Sequence, residues 1–188
     1  MPQNVKSILP LASLLVSGTA NAFDQSFESC AMSAYVILEA TTDYMLGVPL
    51  SKARASCFPG NPDCNVPRVY REAKKEGIDH AYISGHVYMI KCGNKVPKRT
   101  DATSLAPAEA AYKSCLSDGA VRLNVIAAIR RGDSQEAAMA AMGAQYGDII
   151  RAMYKIVKEA NVTKALSLSA GAFNSCVESV DAAKNGHR

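Results

Sequence analysis

The sequence predicts an all-α protein: a tandem duplication of a roughly four-helix unit, each copy clasped by a disulfide. Three observations carry this prediction. Apolar residues recur at spacings of three and four through most of the chain, with abundant alanine in those stretches and no Trp. One half of the chain aligns on the other. Six cysteines follow an export leader, and four of them occupy corresponding positions in the two halves.

The leader is MPQNVKSILPLASLLVSGTANA, with one lysine (Lys6), an apolar core from Ile8 to Val16 and small residues at Ala20 and Ala22. This is the pattern of a secretory signal peptide over residues 1–22, cleaved after Ala22. Its apolar run is too short to span a bilayer, and no later segment is long and uniformly apolar enough to be a transmembrane helix. No cysteine follows the cleavage point to carry a lipid anchor. The expected location is therefore periplasmic or secreted. Loss of Lys6 takes the net charge from +4 to +3, too little to argue for nucleic acid.

The first aligned block starts at Phe27 (FESCAMSAYVILEATTDYMLGVPLSKARA) and matches the block starting at Tyr112, an offset of 85 residues. It pairs Cys30 with Cys115, Leu38 with Leu123, Gly47 with Gly132 and Ala53 with Ala138. The second block starts at Tyr70 and matches the block from Tyr154 at an offset of 84, pairing Lys74 with Lys158, Ala81 with Ala165 and Cys92 with Cys176. The lost residue falls in the interval that contains CFPGNPDC, Cys57 to Cys64. The copies are placed at 23–93 and 108–182, with a Pro-, Gly- and charge-containing connector at 94–107 and a tail at 183–188.

Four helices are expected in each copy. In the first, Phe27, Cys30, Ala31, Ala34, Leu38, Thr41 and Met45 form the stripe of a helix with one buried face. Tyr112, Cys115, Leu116, Gly119, Leu123 and Ile126 repeat it. Gly47 and Gly132 end these helices, because a left-handed cap favours a residue without a β-carbon. Pro49 starts the second helix of copy one, and Asp133 with Glu136 suggests a capping box in copy two. The third helices run from about 66 to 76 and from about 148 to 160, starting at Asn65 and at Gly147 or Asp148. Gly77 and Asn161 end them in the left-handed region, and Asp79 and Thr163 cap the fourth helices.

Cysteines in an exported chain read as disulfides. Cys30 and Cys115 lie early in the first helix of each copy, Cys92 and Cys176 late in the fourth. An up-down-up-down bundle brings those ends together, so the expected links are Cys30 to Cys92 and Cys115 to Cys176. Cys57 and Cys64 then pair as a staple on a turn. Two sulfurs without a nearby His make no zinc knuckle, and the spacing is not that of a C-x-x-C redox motif.

The remaining constellations have structural explanations. RRGDS, Arg130 to Ser134, contains an RGD tripeptide, but helix termination and capping account for its residues. His86, Met89 and Cys92 are spaced by threes, which evokes a soft metal or haem face. Their counterparts Ala170, Phe173 and Cys176 have no such capacity, so His86 reads as a partly buried helix residue. His80 aligns with Lys164 and reads as exposed. No nucleophile elbow, zinc-protease motif or phosphate loop is present in the sequence.

The function expected from the sequence is a non-catalytic exported binding protein acting through protein contacts, with no cofactor or metal and another exported or envelope protein as partner. Its candidate surface is the set of features peculiar to copy one: Cys57, Phe58, Asn61, Cys64, Tyr82 and His86. Three narrower alternatives accompany it: an immunity or inhibitor protein against a cell-wall-active toxin or enzyme, a small metal or cofactor enzyme using His86, and a structural envelope component.

Overall fold

The computed structural model describes residues 25–56, 65–97 and 106–186. These residues form helices α1 (Phe27–Met45), α2 (Leu50–Ala53), α3 (Val66–Glu76), α4 (Ile78–Gly93), α5 (Pro107–Arg131), α6 (Gln135–Met142), α7 (Gly147–Glu159) and α8 (Val162–Gly186). Short 3-10 turns follow α2 at Arg54–Ser56 and α6 at Ala144–Tyr146. No strand occurs among the described residues.

Local chemistry sets the boundaries. Ser26 and Ser29 form a reciprocal capping box at the start of α1, each hydroxyl accepting from the other's backbone N–H at 3.0 and 3.1 Å. Gly47 (φ +73°) and Gly132 (φ +82°) close α1 and α5 in the same way. Gly47 N–H donates to the Tyr44 carbonyl and Val48 N–H to Asp43; Gly132 donates to Ile129 and Asp133 to Ala128, all at 2.9 to 3.1 Å. This is the two-bond helix ending that a glycine in the left-handed region permits. The segment after each glycine is then held by a tyrosine: Tyr70 OH donates to the Val48 carbonyl and Tyr154 OH to the Asp133 carbonyl, both at 2.8 Å.

Several expected caps are corrected. Ser134, not Asp133, caps α6 by accepting from Ala137 N–H at 3.1 Å, because the Asp133 backbone belongs to the α5 ending and its carboxylate pairs with Arg131. Asn161 serves the start of α8, where its side chain accepts from Lys164 N–H at 2.8 Å. Asp79 and Thr163 are not caps either. Both lie in the first turns of α4 and α8, where the Thr163 hydroxyl donates to Asp79 Oδ1 at 2.6 Å and ties the two helix starts together. Asn65 precedes α3 without a side-chain bond to it. The expected tail also differs, since α8 continues to Gly186.

The four long helices α1, α4, α5 and α8 all pack on one another, and α3 lies across α1 and α4 while α7 lies across α5 and α8. One interior results. Cys30, Leu38, Tyr82 and Met89 share a continuous buried cluster with Leu116, Ile126, Leu166 and Phe173 from the other half. A satellite cluster of Ile37, Ala40, Ala53, Val66 and Val69 sits beneath α2 and α3. Close approach requires small residues at two crossings: a Cβ on Gly85 would fall 2.7 Å from Leu38 Cδ2, and one on Gly119 would fall 2.6 Å from Met89 Cε.

The two expected long clasps are present, with Cα–Cα distances of 5.6 Å for Cys30–Cys92 and 5.8 Å for Cys115–Cys176. The Cys57–Cys64 turn lies outside the described residues.

Replacing Cys30 and Cys92 together by alanine should lower unfolding free energy in urea by roughly 4 kcal/mol, since the link closes a 62-residue separation. A glycine pair tests the packing. Gly171 lies on an exposed face of α8, and a β-carbon at this position would meet nothing within 4 Å, so Gly171→Ala should stabilise by up to about 1 kcal/mol. Gly85→Ala gains the same helix propensity but overpacks Leu38 and Ile37, and should destabilise by about 1 kcal/mol net in the same measurement.

Candidate functional site

Helix α4 carries the polar side chains that sequence periodicity places nearest the interior. Tyr82, His86 and Met89 fall at spacings of four and three, so one face of α4 holds all three. That face points inward, and Tyr82 and His86 both have 0 % exposure. This corrects two expectations: neither residue belongs to an exposed partner surface, and His86 is wholly rather than partly buried.

The imidazole is fully bonded. His86 Nδ1 lies 2.8 Å from the Tyr82 carbonyl, which can only accept, so Nδ1 carries the proton. Nε2 then accepts from the Ser169 hydroxyl at 3.0 Å, across the boundary between the halves. Ser169 is itself buried. Burial lowers the His86 pKa most; the Tyr82 carbonyl opposes this, and Arg122 adds to the lowering. The ring is a neutral, satisfied crosslink between α4 and α8.

The hydroxyl of Tyr82 reaches Thr42 Oγ1 at 3.0 Å and Met45 Sδ at 3.8 Å, joining α4 to α1. Cys92 is in a disulfide and Met89 packs towards Gly119, so the spacing by threes that suggested a metal face does not gather ligands. Among the described residues no group of three or more His, Cys, Asp or Glu side chains is close enough to hold a metal ion. His80 is exposed on α4, as its alignment with Lys164 implies. Cys57, Phe58, Asn61 and Cys64 lie outside the described residues.

A second polar assembly, not anticipated from the sequence, surrounds the start of α1. The Glu109 carboxylate at the beginning of α5 accepts from the backbone N–H groups of Phe27 and Glu28. An anion at a helix N-terminus is favoured by both the unpaired donors and the helix dipole. Lys184 near the end of α8 pairs with Glu28, and Tyr112 OH donates to Asp181. Tyr35 OH donates to Glu178 at 2.9 Å. Burial, followed by these carboxylate acceptors, raises the Tyr35 and Tyr112 pKa values far above that of a free phenol. On the same α1–α8 side, burial and then Asp43 and Glu178 raise the Glu39 carboxyl above its ordinary range. Glu109 and Lys184 lie outside the two aligned blocks, which is why comparing those blocks could not find them. Their signal was a carboxylate just after Pro107 at a helix start, and a lysine in a segment that reads as a tail.

No helix among the described residues is long and apolar enough to cross a membrane. No protein-family model, curated protein or solved structure matches the chain.

The buried imidazole makes stability depend on pH. Its folded pKa lies below the unfolded value of 6.5, so the unfolded chain binds the proton more readily. Stability is fully present above pH 6.5 and falls as the pH drops below it, by at most about 1.4 kcal/mol per pH unit. Urea midpoints measured from pH 8 to pH 5 should show this acid-side slope. His86→Gln, which keeps a donor and an acceptor but does not titrate, should reduce the His-dependent part of it; an unchanged slope would refute the assignment.

Proposed function

We propose that the chain is an exported, non-catalytic helical binding protein that acts through contacts with another exported or envelope protein. The observation that carries this reading is the closed interior. Among the described residues, the histidine that suggested chemistry, His86, is sealed together with Tyr82 and internally bonded. A group so placed crosslinks helices and has no route to a substrate. Function then resides on the outer surface, as it does for binding modules built on rigid helical scaffolds.

Export is proposed from the leader 1–22 and from the two disulfides, a chemistry that persists in oxidising compartments. Tandem duplication is proposed from the sequence offset of 85 and 84, and three equivalences support it. Each copy has a disulfide between its first and fourth helices, a glycine-closed first helix, and a tyrosine bonded to the carbonyl that follows the glycine. Duplication gives this reading its logic: one copy maintains the scaffold while the other is free to diverge at its surface. The Cys57–Cys64 segment, whose counterpart in copy two has no cysteine, belongs to that divergence.

The processed protein should begin at Phe23 by N-terminal sequencing. Chemical crosslinking in an envelope extract should give one discrete adduct, and Cys57→Ser with Cys64→Ser should weaken that adduct while leaving the thermal midpoint within a few degrees of the parent. A chain that remains alone at every concentration overturns the binding reading.

A further inference from the structure

The repeat permits a comparison of outer layers. In copy one, the layer formed by α2, its 3-10 turn and α3 carries six cations, Lys52, Arg54, Arg68, Arg71, Lys74 and Lys75, against two carboxylates, Glu72 and Glu76, for a net +4. All six cations are exposed. In copy two, the layer formed by α6, its 3-10 turn and α7 carries Arg151, Lys155 and Lys158 against Glu136, Asp148 and Glu159, for a net of zero. At the aligned positions, Ala137, Met139, Ala152 and Glu159 stand where copy one has Lys52, Arg54, Arg68 and Lys75.

Pairing sharpens the contrast. Arg68 is held by Glu72 at 2.8 Å and Lys75 by Glu76 at 2.7 Å. Lys52, Arg54, Arg71 and Lys74 have no ion-pair partner among the described residues. Beside them the turn after α1 projects Leu46 at 70 % exposure, where copy two has Arg131. That turn is fastened to α3 by the Tyr70–Val48 hydrogen bond and by edge-on contact of the Tyr44 and Tyr70 rings, with centroids 5.3 Å apart. The turn that bears Leu46 is therefore fastened to the helix that bears Arg68, Arg71, Lys74 and Lys75.

We infer that this α2–α3 face, with Leu46 at its edge, docks on an anionic phospholipid surface. Lysine and arginine are attracted to the headgroup charge, and a single protruding leucine enters the headgroup–acyl boundary, which needs no preformed socket. This inference and the protein-partner reading both use copy one, and their tests tell them apart: lipid docking depends on the cations of α2 and α3, the protein contact on Cys57 and Cys64.

Flotation of the processed, oxidised chain with vesicles tests it. The chain should bind vesicles of equal parts phosphatidylglycerol and phosphatidylcholine, fail to bind phosphatidylcholine alone, and be released by 0.5 M salt, a condition of about 4 Å screening length. At roughly five-fold per cation, Arg71→Ala with Lys74→Ala should lower partitioning about thirty-fold. Lys155→Ala with Lys158→Ala removes the same net charge from the aligned positions of copy two and should leave partitioning within two-fold. Leu46→Ser should weaken binding several-fold without changing its salt dependence. Circular dichroism checks that these exposed substitutions leave the fold intact. Equal losses in the two double variants would reduce the effect to net charge and overturn the inference. So would absence of binding to the anionic vesicles, an outcome that leaves the same face to an acidic protein.

Discussion

The fold depends on one constraint: the two helical units share a single buried core. Units of this size are marginal without help. Here the help is mutual. Helices α1 and α4 place Leu38, Tyr82 and Met89 against Leu116, Ile126 and Phe173 from α5 and α8, so each half supplies the lid of the other. Gly85 and Gly119 let the helix axes come close enough for this interior to pack densely. The disulfides then act at the level of the unfolded chain, each removing freedom from a loop of about sixty residues, and they hold each half in the geometry that presents its inner face.

Polar groups trapped by this arrangement are paired across the boundary between halves. His86 meets Ser169, Asp79 meets Thr163, and Glu109 meets the start of α1. The His86–Ser169 pairing satisfies buried groups whose isolation would cost on the order of 1–3 kcal/mol; the other two are part-buried, and all three specify how the halves are registered. Apolar packing alone tolerates small slides between helices; a buried imidazole bonded at both nitrogens does not. The bond between the helix starts and the one in the middle of the bundle together fix the relative position of α4 and α8.

The outer layers are under a different constraint. They pack by one face, leaving the other open to change, and the layers of the two halves differ. The α2–α3 layer carries an excess of cations, four of them without an ion-pair partner among the described residues, and an exposed leucine at its edge, whereas the α6–α7 layer is electrically balanced. Because the scaffold beneath is held by the same glycine endings and tyrosine bonds in both halves, these surface differences do not disturb the core. The arrangement separates the residues that make the fold from those available for recognition.

Much of this was determined by the sequence alone. Spacings of three and four place Cys30, Ala31, Ala34 and Leu38 on the buried face of α1, because helix periodicity is a local property. Glycine at 47 and 132 sets helix ends for an equally local reason, and the matched cysteines select their partners once the helices alternate in direction. Exact caps were less legible: Ser134 and Asp133 are both good capping types, and the choice between them turned on a backbone N–H already engaged by the preceding helix ending. Only the tertiary structure decided whether Tyr82 and His86 face solvent or the interior. A short amphipathic stripe shows which residues share a face, but what covers that face comes from residues 83 positions away, such as Ser169. The union of the halves into one core was decided there too, because it rests on side chains from four helices meeting at once, a long-range condition that no local pattern encodes.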